Sequence, residues 1–459
     1  MKKLLLVLSL YGFFLIPCAS AQREDSIMIR KIFNEALKNG FAYTWLQDLA
    51  ANIGARLSGS SEAEKAVQWV KNQMMASLAD SVWLQPCMVP HWVRGEKEIG
   101  KIIDSKNTIQ QVPVCALGRS VATPKAGITA TIIEVHDFDE LRRLGEKNIK
   151  GKIVFYNYPF DQTFINTFDA YSEAVWYRWA GPSEAARFGA IATVCRSMTN
   201  INDDNPHTGA MQYNDSLPKI PCCAISTNGA DLLSSILKAD PKTKFFLKMS
   251  CQVLDSVKSY NVIGEIKGSE HPEEIITVGG HLDSWETGKG VSDDGTGVVQ
   301  AMEIIHLFKQ LGIKPKRTIR AVAFMNEENG GMGGAKYAEQ AKLKNEKHVA
   351  AIESDAGGFT PYGFGLDMAA EKKERVKRWK DLFLSYNIWN FELSHGGSDI
   401  DHLKEKLNVP CIGLGVDSQR YFDLHHAASD TFDKVNRREL ELGAAAMGAL
   451  VYLLTEYGL

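Results

Sequence analysis

From residue 262 onward the chain repeats one pattern, and that pattern constrains its fold more than anything else in the sequence. Short apolar runs at 275–278, 318–324, 349–352 and 409–414 alternate with helical periodicity at 298–311, from about 335, at 371–386 and at 439–454. Strands alternating with amphipathic helices predict an α/β fold with a mixed, mostly parallel sheet covered by helices on both faces. In such sheets the functional loops lie beyond the carboxyl ends of the strands.

At 459 residues the chain is too long for one ordinary domain, so two domains or a large insertion are expected. Residues 26–39 and 43–53 have helical spacing. Ser61 and Glu64 form a capping box ahead of a helix whose Ala63, Ala66, Val67, Val70 and Met74 share a face. Between 117 and 251 the texture becomes short β-rich runs, such as 128–135 and 152–156, with one helix near 184–188. That stretch reads as an inserted, mostly β module. The expected division is therefore a signal peptide at 1–21, the first part of the main domain at 22–116, the insert at 117–251 and the remainder at 252–459.

The first residues are a leader by pattern. Lys2 and Lys3 precede an apolar run from 4 to 17, too short to span a bilayer, and Ala19-Ser20-Ala21 supplies small residues for cleavage. The expectation is an exported protein, periplasmic or secreted, with no membrane span. Lipid anchoring through Cys18 is disfavoured because Pro17 stands where a small residue is wanted. A formal net charge of -3 indicates no nucleic-acid partner. Removing Cys18 from the eight cysteines leaves an odd number, no C-x-x-C is present, and the cysteines carry no functional signal.

The polar residues that follow the strands carry the chemistry. They are Gly280-His281-Leu282-Asp283, Ser292-Asp293-Asp294-Gly295, Asn326-Glu327-Glu328, Glu353-Ser354-Asp355 and His425-His426 with Asp430. Singly, each has an ordinary explanation as turn, loop or solvated surface. Together they offer nitrogen and oxygen ligands for two divalent metals that share a carboxylate, plus a separate base. Without metal, that many acids converging in one cleft repel. There is no G-x-S-x-G elbow, no H-E-x-x-H and no phosphate-binding loop.

At these residues the sequence resembles the M28 family of zinc peptidases, and within it the plasma glutamate carboxypeptidase (carboxypeptidase Q) group. The likeness extends to Gly54–Ser60, Pro90–Gly95 and Pro206–Gly209. It implies a zinc aminopeptidase type of fold with a protease-associated-like insert. It also implies an exopeptidase that cleaves small unblocked peptides, dipeptides above all, using two Zn²⁺ per chain and a hydroxide held between them. One zinc would take His281, Asp293 and Asp355, and the other Asp293, Glu328 and His426. Glu327 would be the general base, and Asp283 would orient His281. Many members place a tyrosine before the Ser-Asp of the late loop to hold the oxyanion. Here His395 stands near that place, and either His395 or another residue such as Tyr421 would take the role. Family likeness and the aromatic-rich stretch 171–179 imply a homodimer.

Two other readings use the same residues. A binding protein on an inactive peptidase scaffold would have lost ligands, yet all five and the base are present. A glutaminyl cyclase-like enzyme needs one zinc, which leaves half of this set unexplained.

Overall fold

The structure, a computed structural model, describes residues 23–459; the expected leader and Cys18 lie outside the described residues. Two eight-stranded sheets organise it. The strands in chain order are β1 (Ser81–Val93), β2 (Ile99–Ile103), β3 (Ile109–Val112), β4 (Val114–Ala116), β5 (Ile128–Val135), β6 (Ile153–Tyr156), β7 (Ala192–Arg196), β8 (Cys222–Ile225), β9 (Lys244–Lys248), β10 (Gln252–Ile266), β11 (His271–His281), β12 (Arg317–Phe324), β13 (Lys347–Glu353), β14 (Pro361–Asp367), β15 (Asn390–Leu393) and β16 (Cys411–Val416).

The first sheet has the order β1-β10-β12-β11-β13-β16-β14-β15. Its four central strands, β12, β11, β13 and β16, run parallel, and the antiparallel pairs lie toward the edges. The expected mixed, mostly parallel sheet is therefore present. Central strands covered on both faces must be apolar throughout, and in β12 every residue after Arg317 is buried. Thr296–Gln310 and Arg437–Tyr457 pack against one another and against this sheet. The first of these is buried from Thr296 to Phe308, so its amphipathic stripe is wider than one face.

The second sheet has the order β3-β2-β9-β5-β6-β7-β8-β4. It starts at Ile99, ahead of the change in texture at 117. It is also more helical than the sequence reading expected. The helix near 184–188 is one of four here, with Phe138–Ile149, Thr167–Trp179 and Thr227–Ala239. The reason is topological: β5 to β8 run parallel, and parallel neighbours need crossovers. Phe138–Ile149 buries only Leu141 and Ile149, and the other three bury mostly small or polar residues, which give little apolar contrast to a periodicity search. The chain passes between the sheets at 94–98 and 249–251, beside one end of the long β1/β10 ladder.

Two buried acids stand at the start of the helix Ala42–Asn52. Glu303 accepts from the Phe41 N–H at 3.0 Å, and Glu441 from the Tyr43 N–H at 3.2 Å. Carboxylates at a helix N-terminus are favourable, but burial pushes Glu441 up to about 7 and Glu303 well above its usual range, Glu441 adding to the latter. A carboxyl raised in the folded state stabilises most when protonated. That contribution is complete below the ordinary value of 4.5 and is lost as pH rises toward 7. Glu441→Gln keeps an oxygen for Tyr43 and removes the charge. It is expected to be more stable than the parent at pH 8 by on the order of 2–3 kcal/mol, an advantage that vanishes near pH 4.5. Denaturant unfolding at both pH values checks this.

Candidate metal centre

Every motif picked out by the sequence pattern arrives at the carboxyl edge of the central strands. His281 ends β11; Asn326, Glu327 and Glu328 follow β12; Asp355 follows β13; and the segment after β16 leads to Tyr421, His425 and His426. Parallel register alone places these loops together.

Asp293 stands at the centre. Its Oδ1 lies 3.1 Å from His281 Nε2 and its Oδ2 3.1 Å from His426 Nε2. His281 Nε2 is also 3.5 Å from Asp355 Oδ1, and His426 Nε2 is 2.9 Å from Glu328 Oε2. Two clusters with metal-ligand spacing result, His281-Asp293-Asp355 and Asp293-His425-His426, and Asp293 belongs to both. His425 Nε2 is farther from Asp293, at 3.7 Å, while His426 alone of the pair also meets Glu328.

The donor set fits divalent cations. Oδ2 of Asp293, Oε1 of Glu328 and Oδ1 of Asp355 are buried without hydrogen-bond partners. Burial, with the charge of Asp293, pushes Glu328 up to about 8, and burial against the pull of His281 leaves Asp355 at about 6. Carboxylates held this way lack positive charge, and bound cations supply it.

The loop that carries Asp293 is fixed from two sides. Asp430 accepts from the backbone N–H of Val291, Ser292 and Asp293 at 2.8–3.3 Å. Asp294, joined to Asp293 by a cis peptide, accepts from the N–H of His281 at 3.0 Å and of Gly297 at 2.8 Å. Beneath it, the fully buried Arg56 donates to the carbonyls of Gly54, Leu282, Lys289 and Gly290. The sequence reading did not assign Arg56, because it is far away in the chain and its partners are backbone oxygens.

Glu327 is partly buried, and its carboxylate has no hydrogen bond or ion pair among the described residues. It lines a cavity of about 590 Å³ together with Asp293, Glu328, Asp355, Tyr421 and His426. One expectation needs refinement. The Nδ1–H of His281 donates to the backbone carbonyl of Asp283 at 3.0 Å, whereas the Asp283 carboxylate is 3.9 Å away. That carboxylate instead accepts from the N–H of Asn326 and Glu327, at 2.6 and 3.1 Å, and so anchors the Glu327 loop. His395 is not brought into the 590 Å³ cavity. It lines a neighbouring cavity of about 570 Å³ with Glu353 and Asp355, because the 394–397 turn packs against Gly365 and Gly413. Of the two oxyanion candidates, Tyr421 is the one that faces the cluster; it is buried and makes no hydrogen bond through its hydroxyl among the described residues.

The family model for peptidase family M28 matches residues 261–451, the part that carries all five clustered side chains. Carboxypeptidase Q from Homo sapiens is 36% identical over 416 residues, which cover 90% of this chain and 85% of that protein. The chain belongs to peptidase family M28. This M28 metallopeptidase also superimposes on the crystal structure of a peptidase M28 precursor from Shewanella amazonensis. The TM-score is 0.90, with 31% identity, over 95% of this chain and 97% of that one. Aminopeptidase YwaD from Bacillus subtilis is a more distant relative, 23% identical over 98% of this chain and 94% of its own.

Close approach in the M28 core depends on a glycine. A Cβ on Gly297 would land inside contact distance of the Ser354 carbonyl oxygen and the Asp294 carboxylate. Gly297→Ala should destabilise the fold by about 1–3 kcal/mol through overpacking. The loss should persist in chelator-treated protein, as calorimetry with and without chelator will show, because its origin is packing and not metal affinity.

Proposed function

We propose that this peptidase is an exported exopeptidase holding two Zn²⁺ per chain, and that it cleaves small peptides with free termini, dipeptides above all. The observation that carries the reading is Asp293, one carboxylate within 3.1 Å of histidines from two separate clusters. His281 and Asp355 complete one metal set, and Glu328 and His426 the other. Nitrogen and oxygen donors in this mixture suit zinc.

Two such cations supply polarisation of the scissile carbonyl and acidification of the attacking water. The chain's own residues do the rest. Glu327 takes the proton from the water and delivers it to the leaving amine. Asp283 holds the Glu327 loop through two backbone N–H groups, which keeps the base at one distance from its target. Tyr421 donates from the cavity wall to the developing oxyanion. The second sheet forms a protease-associated-like insert that closes the cleft.

The assignment of the adjacent acids is testable. Glu327→Gln should retain two zincs per chain, lose turnover by roughly 10²–10⁴-fold and leave KM nearly unchanged. Glu328→Gln should lose one zinc, because an amide is a weaker ligand than a carboxylate. Metal analysis and dipeptide kinetics on both variants provide the check; the opposite pattern reverses the assignment, and a parent enzyme fully active after chelation removes the metal mechanism.

The mature chain, without residues 1–21, is proposed to work as a homodimer. Exposed aromatics favour this: Trp176 is 56% exposed and Trp179 37%, both on the second module. Sedimentation of the secreted chain, with its intact mass, tests both points; a monomer at micromolar concentration or an uncleaved leader counts against them.

A further inference from the structure

The cavity above the clustered acids is lined by two arginines from the second module, Arg119 and Arg178, and neither has a carboxylate partner among the described residues. A guanidinium withdrawn from water without an anion is costly, so such groups mark places where an anion arrives.

The two differ in what they have left to offer. Arg178 is 7% exposed, and its terminal nitrogens donate to the Thr208 carbonyl at 3.3 Å and the Tyr171 hydroxyl at 2.7 Å. Its Nε is sealed from solvent without a partner. Its donors are turned inward, beside His426. Arg119 is only partly buried. Its Nε donates to Asn329 Oδ1 at 2.9 Å, Nη2 to the Asn329 carbonyl at 2.8 Å and Nη1 to Gln212 Oε1 at 2.6 Å. Three of five N–H groups are used, all on neutral oxygens, which leaves one on each terminal nitrogen. That pair matches the two oxygens of a carboxylate.

The backbone beneath Arg119 is built to hold it there. Gly118 presses on the Trp285 ring so closely that no Cβ would fit, and its N–H donates to the Gly209 carbonyl at 2.9 Å. Arg119 itself has a φ of 71°, a left-handed conformation that is unfavourable for a non-glycine residue and persists only where its surroundings demand it. Asn329, which accepts two of the three hydrogen bonds, directly follows the Glu327-Glu328 pair. The guanidinium is thus tied to the loop that carries the base.

We propose that Arg119 is a specificity-determining residue that binds the α-carboxylate of the peptide on the leaving-group side. This rests on the peptidase reading above and adds to it a residue from the insert that reads the free C-terminus. The carboxylate completes an ion pair that the free protein lacks, so a substrate ending in an amide forfeits it.

The experiment compares a dipeptide with its C-terminal amide on the zinc-loaded parent, Arg119→Gln and Arg119→Lys. The parent should favour the free dipeptide by at least tenfold in kcat/KM. Arg119→Gln should raise KM for the free dipeptide ten- to a hundredfold while changing the amide less than about twofold, so that the preference collapses; Arg119→Lys should restore part of it. A parent that cleaves both substrates equally overturns the proposal without recourse to any variant. So does Arg119→Gln losing activity equally on both, the mark of a residue that merely holds Asn329. A zinc-loaded parent that cleaves neither substrate sinks the dipeptidase reading instead.

Discussion

Asp293 reaches one histidine through each of its carboxylate oxygens, and the rest of the structure is arranged so that it can. An exposed carboxylate would rotate and solvate. This one is buried, with three backbone N–H groups bound to Asp430 on one side of its loop and the Asp294 carboxylate holding β11 to the helix Thr296–Gln310 on the other. Burying acids so close together is unfavourable without countercharge, and burial raises Glu328, Asp355 and Asp430 above the ordinary carboxylate range. Bound cations would supply that countercharge, which is why the donor set fits them.

The sheet supplies the geometry at little further cost. Four parallel strands end at one edge, so loops far apart in sequence converge without any long excursion. Backbone hydrogen bonds from β strands hold the ends in place, while the clustered side chains sit at the strand end, as His281 does, or on the loops that follow. Asp283 illustrates the economy: its carbonyl sets the ring of His281 and its carboxylate sets the loop of Glu327. One residue thus couples the His281 ring to the Glu327 loop.

The second module closes over this edge and does more than cover it. It brings Arg119, Tyr171, Arg178 and Trp179 to the cavity, so the cleft is acidic on its floor and cationic on its wall. An approaching ligand therefore meets charges of both signs. The first sheet then sets the reaction and the second sets what can reach it.

The sequence by itself determined the class of the main sheet and the polar motifs that supply candidate metal ligands and a candidate base; which residue takes which role came from the family resemblance. Those signals are local: apolar runs, helical periodicity, and polar motifs in the segments that follow the strands. His281, Asp293, Glu328, Asp355 and His426 were legible because parallel register converts "after a strand" into "at the same edge". What lay beyond local pattern was decided by tertiary structure alone. The helices of the second module bury mostly small or polar residues, which leave little apolar signal. Arg56 and Arg119 bond to backbone or neutral oxygens hundreds of positions away, which no spacing encodes. His395 and Tyr421 line different cavities, and the Asp283 carboxylate took the Glu327 loop because two N–H groups were nearer than the ring. Ligand identity is written along the chain; the distance from a side chain to its partner exists only once the loops are folded against each other.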